Sequence, residues 1–299
     1  MGLIRFCKNI IYLFKYNLKE IKTKNDTVVD NFGLSCALEH FKYELRETDL
    51  EKLQYPNIRS HEETIDYVIK NKCSMTRFGD GEFYLMNDKS CIFQKADKNL
   101  KQRLIDIFWE DTEGLITGGF YCYFHDINNF NPLSKEYVRT SIAKNLPWMM
   151  KFYNPEKQYY SSAITQLYAL FAKYDFESYF EKIKQIWKDR DITIVCGKTV
   201  FNKLEHNIFD CAKSIEYVYA PRKNAWSKYD KVLKDCLNIE KDRLVIIILG
   251  PTASVLAYDL HKKGYQALDF GHIAKDYDSY KNKQDMSDKE KVYKFFKPD

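Results

Sequence analysis

Nothing in this 299-residue chain approaches the roughly 20 consecutive apolar residues that crossing a bilayer requires. Residues 1–24 also lack the unbroken apolar stretch and small-residue cleavage site of a secretory leader. The eight cysteines, at 7, 36, 73, 91, 122, 196, 211 and 236, form no Cys-x-x-Cys pair and no zinc spacing. Several fall in expected strands or helices, where cysteine behaves as a small hydrophobe. Charge of one sign is not in excess: 47 basic residues stand against 42 acidic ones, interspersed, for a net +5. That balance is no nucleic-acid signature. No repeat or low-complexity tract is present, and no Gly-x-Gly-x-x-Gly or complete P-loop occurs. These absences argue against a membrane-spanning, disulfide-stapled, nucleic-acid-binding or nicotinamide-binding protein and point to a reduced, cytoplasmic one.

What is present is length enough for one large α/β domain or two smaller ones. Tyrosine (23) and phenylalanine (20) are abundant in a Lys- and Asn-rich chain, a bias that reads first as AT-rich source composition and second as a Tyr-rich cleft of the kind that binds sugars. In residues 1–24, Leu3, Cys7, Ile10, Phe14, Leu18 and Ile21 share one helical face, and Arg5, Lys8, Lys15, Lys19 and Lys22 another. This pattern fits a basic amphipathic helix, lying at the inner face of the cell membrane as a peripheral contact or packing on the domain or a second subunit. Residues 25–59 read as a linker and helical lead-in, with 23–32 the linker proper.

From about residue 60 to 282, short apolar runs alternate with amphipathic segments, the sign of βα units and a mostly parallel sheet with helices on both faces. Helices are expected at 61–72 and 98–110. Strands are expected at 73–78, 115–118, 192–196, 215–219, 244–249 and 266–270. The aromatic stretch 126–182 reads as helices and loops over one edge. The Lys/Asp-rich tail, 283–299, reads as mobile.

The densest chemistry lies in Ser-Met-Thr-Arg-Phe-Gly-Asp-Gly-Glu-Phe, residues 74–83. A short strand ends at Gly79 and then offers two carboxylates, Asp80 and Glu82, hard oxygen donors suited to a divalent cation. Arg77 is a fork-shaped donor suited to phosphate. The late strands all end in glycine- or proline-bearing turns, and ligands bind beyond the carboxyl ends of parallel strands. After Gly250 and Pro251, Thr252 and Ser254 open a helix whose free N–H groups favour phosphate, or Thr252 is a plain N-cap. Lys198 and Arg222 read as surface charges, and Trp226 as core.

Three blocks, Arg-Phe-Gly-Asp-Gly-Glu-Phe, Ala-Pro-Arg-Lys-Asn-Ala-Trp-Ser-Lys-Tyr-Asp and Gly-Pro-Thr-Ala-Ser-Val-Leu-Ala-Tyr-Asp-Leu with its following Gly-Tyr-Gln-Ala-Leu-Asp-Phe-Gly-His, resemble the GT-D-type bacterial glycosyltransferases that carry an Asp-x-Glu motif. The resemblance covers about residues 60–282. It implies a Rossmann-like fold, a nucleotide-sugar donor (a UDP-sugar), a divalent Mn²⁺ or Mg²⁺, and a surface-glycan or glycoprotein acceptor. It makes Asp80 and Glu82 the metal end of the site. It places Arg77 and Gly79 by the pyrophosphate, and Lys223, Asn224, Tyr229 and Asp230 on the nucleotide side. Gly250, Thr252 and Ser254 would lie against phosphate or ribose, with Asp269 and His272 near the acceptor. The chain departs from the pattern at Ala274 and Asp276, after the Gly-His-Ile, and at Gln166, where the family has Arg. Asp269, His272 and Glu82 are the residues able to take the acceptor proton. Two other readings use the same residues: a phosphosugar or nucleotide-sugar hydrolase, and a catalytically silent nucleotide-sugar-binding partner of another transferase.

Overall fold

The structure, a computed structural model, describes residues 20–22, 28–30, 55–121, 125 and 129–297. The chain divides into two compact units, residues 1–53 with 136–147, and residues 54–135 with 148–299. In the first, Glu20–Lys22 pairs antiparallel with Val28–Asp30, Ile21 opposite Val29. This corrects the expected helix at its last turn and the linker reading over 28–30: the β-branched Val28–Val29 favours an extended ribbon. The remainder of the expected N-terminal helix and its membrane contact lie outside the described residues. No helix among the described residues is long and apolar enough to cross a membrane.

The second unit is built on a seven-stranded, wholly parallel sheet. Its strands are β1 (Ser74–Arg77), β2 (Leu115–Gly119), β3 (Tyr160–Ser161), β4 (Asp191–Cys196), β5 (Ser214–Tyr219), β6 (Leu244–Ile248) and β7 (Ala267–Asp269), in the order β3-β2-β1-β7-β6-β4-β5. Successive strand residues point to opposite faces, yet Val245, Ile246 and Ile247 are all fully buried, so both faces are covered. The helices are α1 (His61–Asn71), α2 (Asp80–Met86), α3 (Lys98–Trp109), α4 (Pro132–Met149), α5 (Phe176–Lys184), α6 (Tyr229–Cys236), α7 (Thr252–Lys262), α8 (Ile273–Lys281) and α9 (Lys289–Phe296); α7 packs on β1, β6 and β7, α6 on β5 and α1 on β3, while residues 136–147 of α4 belong to the first unit. The starts are locally encoded. Ser60 and Glu63 form a reciprocal capping box on α1, and Asp97 accepts from the N–H groups of Asn99 and Leu100 at the start of α3. Pro132 stands first in α4, where its missing N–H is harmless.

Two features position the site. The first half of the sheet steps outward from β1 to β3. The second half goes from β4 out to β5, then back through β6 to β7, which pairs with β1 at Met75–Leu268. The halves therefore meet at the carboxyl ends of β1 and β7. The second feature is a correction. The tail is not mobile over residues 289–296: capped by Asp288, it forms α9 and buries Phe295 to 5% exposure against Ala169 and Met286. Lys275 Nζ donates to the carbonyls of Phe295 (3.4 Å) and Lys297 (3.1 Å), closing the helix C-terminus.

Candidate active site

Arg77 ends β1 and ties three segments together. Its Nε donates to the carbonyl of Asp269 (2.9 Å), Nη1 to that of Ser162 (2.7 Å) and Nη2 to that of Gly271 (3.2 Å). Three of its five N–H donors are thus committed to backbone, which makes it a clamp on strand ends more than an open phosphate fork. Its Nε also lies 3.7 Å from Asp269 Oδ1. Asp269, at the end of β7, is 3% exposed. The Ser254 hydroxyl sits 3.0 Å from Asp269 Oδ2 and 2.7 Å from the Arg77 carbonyl. Burial raises the Asp269 carboxyl above the usual carboxylate range, opposed chiefly by the Arg77 charge.

Asp80 and Glu82 stand on α2, which begins directly at Asp80. Glu82 turns back so that its Oε2 accepts the Gly79 N–H at 2.7 Å. A Cβ on Gly79 would lie 3.2 Å from that oxygen, so the close approach uses a glycine. Glu82 is 9% exposed. Burial, then the negative charge of Asp269, push its carboxyl up to about 7 against the Gly79 N–H and the Arg77 charge. Asp80 is half-buried, with Oδ1 accepting the Gly81 N–H at 2.9 Å. Residues two apart on a helix are about 200° apart around its axis, so one ion does not meet both carboxylates head-on. Asp80 is the carboxylate at the rim, whereas Glu82 belongs to the interior with Asp269 and Arg77.

His272 leads into α8 with φ 72°, a left-handed conformation that few side chains adopt. Its ring stacks on Phe295 (centroids 5.5 Å, 20°), meets Phe296 edge-on at 5.4 Å, and has Phe93 at 6.2 Å. Burial, with the Arg77 and Lys275 charges, lowers its pKa to about 3, so the imidazole is neutral.

A strap, residues 91–95, runs over the turn after β6. Phe93 covers Gly250 (φ 55°), where a Cβ would stand 3.1 Å from Phe93 Cβ. Asn224 fixes the strap twice: its N–H donates to the Phe93 carbonyl and its Oδ1 accepts the Lys95 N–H, both at 2.8 Å. The buried Gln94 puts Oε1 within 3.4 Å of Thr252 Oγ1 and accepts the Trp226 N–H at 3.3 Å. Thr252 and Ser254 are fully buried. With their hydroxyls engaged internally they support the centre from below and do not face a ligand in this conformation.

The expected residues therefore separate. Arg77, Gly79, Asp80, Glu82, Ser254, Asp269 and His272 form one centre. Asn224 and Gly250 join it through the strap. Lys223 and Asp230 are exposed, and Tyr229, 8% exposed, gives its hydroxyl to Asp259, which also pairs with Arg103. Neither Tyr229 nor Asp230 enters the hydrogen bonds of the centre. Asp276 accepts the N–H groups of Tyr168 (3.0 Å) and Ala169 (2.9 Å), capping the single turn Leu167–Leu170 that follows Gln166. Its place in the sequence is explained by that cap. Missed altogether were the Ser162 carbonyl, the strap and α9. Of these only α9 carries a sequence signal, an Asp cap before the apolar stripe Val292, Phe295, Phe296.

Among the described residues no group of three or more His, Cys, Asp or Glu is placed to hold a metal ion. The half-buried carboxylate of Asp80 is a hard oxygen donor of the kind that suits Mg²⁺ or Mn²⁺.

The family model described as the glycosyltransferase GT-D fold matches residues 75–294. The chain is 33% identical over 235 residues to the probable glycosyl transferase Gly of Streptococcus gordonii, covering 74% of this chain and 33% of that protein. It is 32% identical over 234 residues to glycosyltransferase GlyD of Streptococcus pneumoniae serotype 4, covering 77% of this chain and 28% of that one. It thus spans about a third of the length of these relatives. A solved structure described as the highly conserved domain of unknown function 1792 with a distinct glycosyltransferase fold superposes with a TM-score of 0.72 at 29% identity, over 83% of this chain and 86% of that one. A glycosyltransferase of the same domain class from Streptococcus sanguinis gives 0.71 at 31% identity, over 79% and 87%. Sequence and architecture agree: the chain belongs to the family of glycosyltransferases with the GT-D fold.

Proposed function

We propose that this protein transfers a sugar from a nucleotide-sugar, a UDP-sugar, to a surface-glycan or glycoprotein acceptor with the help of a divalent cation. The observation that carries the reading is the pairing of a rim carboxylate, Asp80, with a buried Glu82–Asp269–Arg77 cluster where the two halves of the sheet meet. Asp80 would hold Mn²⁺ or Mg²⁺, which when bound supplies charge to stabilise the leaving diphosphate. Glu82, raised to about 7 by burial and by Asp269, has the proton affinity of a group that takes the acceptor hydroxyl's proton near neutral pH. Arg77 holds Asp269, Ser162 and Gly271 in register and leaves N–H donors for an anion. His272, neutral and walled by Phe93, Phe295 and Phe296, presents an apolar and hydrogen-bonding surface to an acceptor sugar. Hydrolysis of the same donor uses the same residues, and a measured acceptor product separates the two reactions.

The test is a melting-temperature panel of nucleoside diphosphates and their sugars, with and without Mn²⁺, because a ligand that binds only the folded state raises the transition by mass action. A Mn²⁺-dependent rise with a nucleotide-sugar that Asp80→Asn removes supports the reading. No rise with any nucleotide species sinks it.

A further inference from the structure

Away from the carboxylate centre, the outer strand β5 carries two large exposed aromatics, Tyr217 at 42% and Tyr219 at 52%. Two residues apart, they share one face of the sheet. Their rings lie within 8° of parallel with centroids 5.9 Å apart, and Phe201 meets Tyr217 edge-on at 5.9 Å. The result is an offset-stacked aromatic pair, half exposed to solvent, at the end of the outer strand. The turn that brings Phe201, residues 197–201, also receives Arg222. Arg222 Nη1 donates to Thr199 Oγ1 at 2.7 Å, and its stem crosses Gly197 so closely that a Cβ there would lie 2.1 Å from Arg222 Cγ. Its Nη2 is buried without a partner. Lys198 and Lys223 are exposed in the same two turns, and neither 197–201 nor 220–224 contains a carboxylate. This surface offers π faces and N–H donors, suited to a planar ring bearing oxygen acceptors.

Its position is equally specific. The chain leaves β4 toward β5 and leaves β6 toward β7, in opposite directions, so the crevice of a topological switch point opens between the carboxyl ends of β4 and β6, at Gly197 and Gly250. From β1 to β5 is four strand spacings of about 4.8 Å, roughly 19 Å. The strap runs the same way: Cys91 packs beside Gly81, and Lys95 is bonded to Asn224, two residues after Arg222.

We infer that the Tyr217–Tyr219 pair with Arg222 seats the nucleobase and ribose of the donor, whose diphosphate end lies toward Asp80; the inference rests on the donor reading above. Base–aromatic stacking of this kind commonly contributes a factor of about 10 or more to affinity. The experiment is isothermal titration, with Mn²⁺ present, of UDP, CDP, ADP, GDP and inorganic pyrophosphate into the full chain and into Tyr219→Ala, Tyr217→Ala, Arg222→Gln and Asp80→Asn. Because both tyrosines are exposed, their variants should keep the native melting temperature. The expected result is a loss of about tenfold or more for the preferred nucleoside diphosphate in Tyr219→Ala, a smaller loss in Arg222→Gln, and pyrophosphate binding within twofold of the parent. Asp80→Asn should weaken both ligands. Equal nucleotide affinity in parent and Tyr219→Ala, or equal losses for nucleotide and pyrophosphate, overturns the inference and leaves the donor reading standing. Failure of the parent to bind any of the nucleotides overturns both.

Discussion

Arg77 works as a clamp because its planar fork reaches three carbonyls that no single ammonium can satisfy at once. Arg77→Lys should therefore lower unfolding free energy by about 2–4 kcal/mol, since buried carbonyls and the Asp269 carboxylate lose partners; urea titration reads it, and an unchanged midpoint would refute the clamp. The two carboxylates of the Asp-x-Glu motif should also separate by experiment. Asp80→Asn is expected to remove the Mn²⁺-dependent rise in melting temperature. Glu82→Gln should keep most of that rise and lose turnover by about 100-fold or more, the usual contribution of a general base. Equal loss of the Mn²⁺ response in both would return Glu82 to the metal. That Asp80 and Glu82 stand at a strand end was legible from the glycines that border them, whereas Asp269 and His272 were joined to them by the family resemblance. The orientation of Glu82 was not legible, because it depends on α2 starting at Asp80 and on a bond to a backbone N–H. Arg77's partners were hidden for the same reason: a carbonyl carries no residue identity.

At the scale of elements, apolar runs ending in glycine- or proline-bearing turns made β1, β2, β4, β5, β6 and β7 readable, and β3, only two residues long, was not. The helix α9 was lost because its lysines read as solvated tail. What counts is the spacing of Val292, Phe295 and Phe296 on one face. Phe295→Ala should cost about 3 kcal/mol as a buried large-to-small change. It should also raise the His272 pKa from about 3 toward its ordinary value, since burial is the largest cause of the depression. Histidine ring chemical shifts followed against pH measure this directly, and an unmoved titration would show that α9 does not enclose the ring.

Besides the partly buried His272, the molecule as a whole carries a buried histidine, His61. His61 Nδ1 lies 2.6 Å from Ser161 Oγ, and burial lowers its pKa to about 4, with Glu62 opposing. The unfolded chain protonates it first as pH falls, so its contribution is present above pH 6.5 and is lost as pH drops toward about 4, up to about 3 kcal/mol. In His61→Asn the acid limb of stability against pH should be shallower by up to about 1.4 kcal/mol per pH unit. An identical limb would contradict a neutral buried His61. The parallel architecture has a further consequence, for how the protein is made. Arg77 and the carbonyl it grips on Asp269 lie 192 residues apart. At ribosomal speeds of about 5–20 residues per second, β1 waits roughly 10–40 s after leaving the exit tunnel before β7 is synthesised beside it. Throughout that interval one edge of β1 stays unpaired and available to chaperones or to a neighbouring nascent chain, so the candidate centre closes only once β7 has been made.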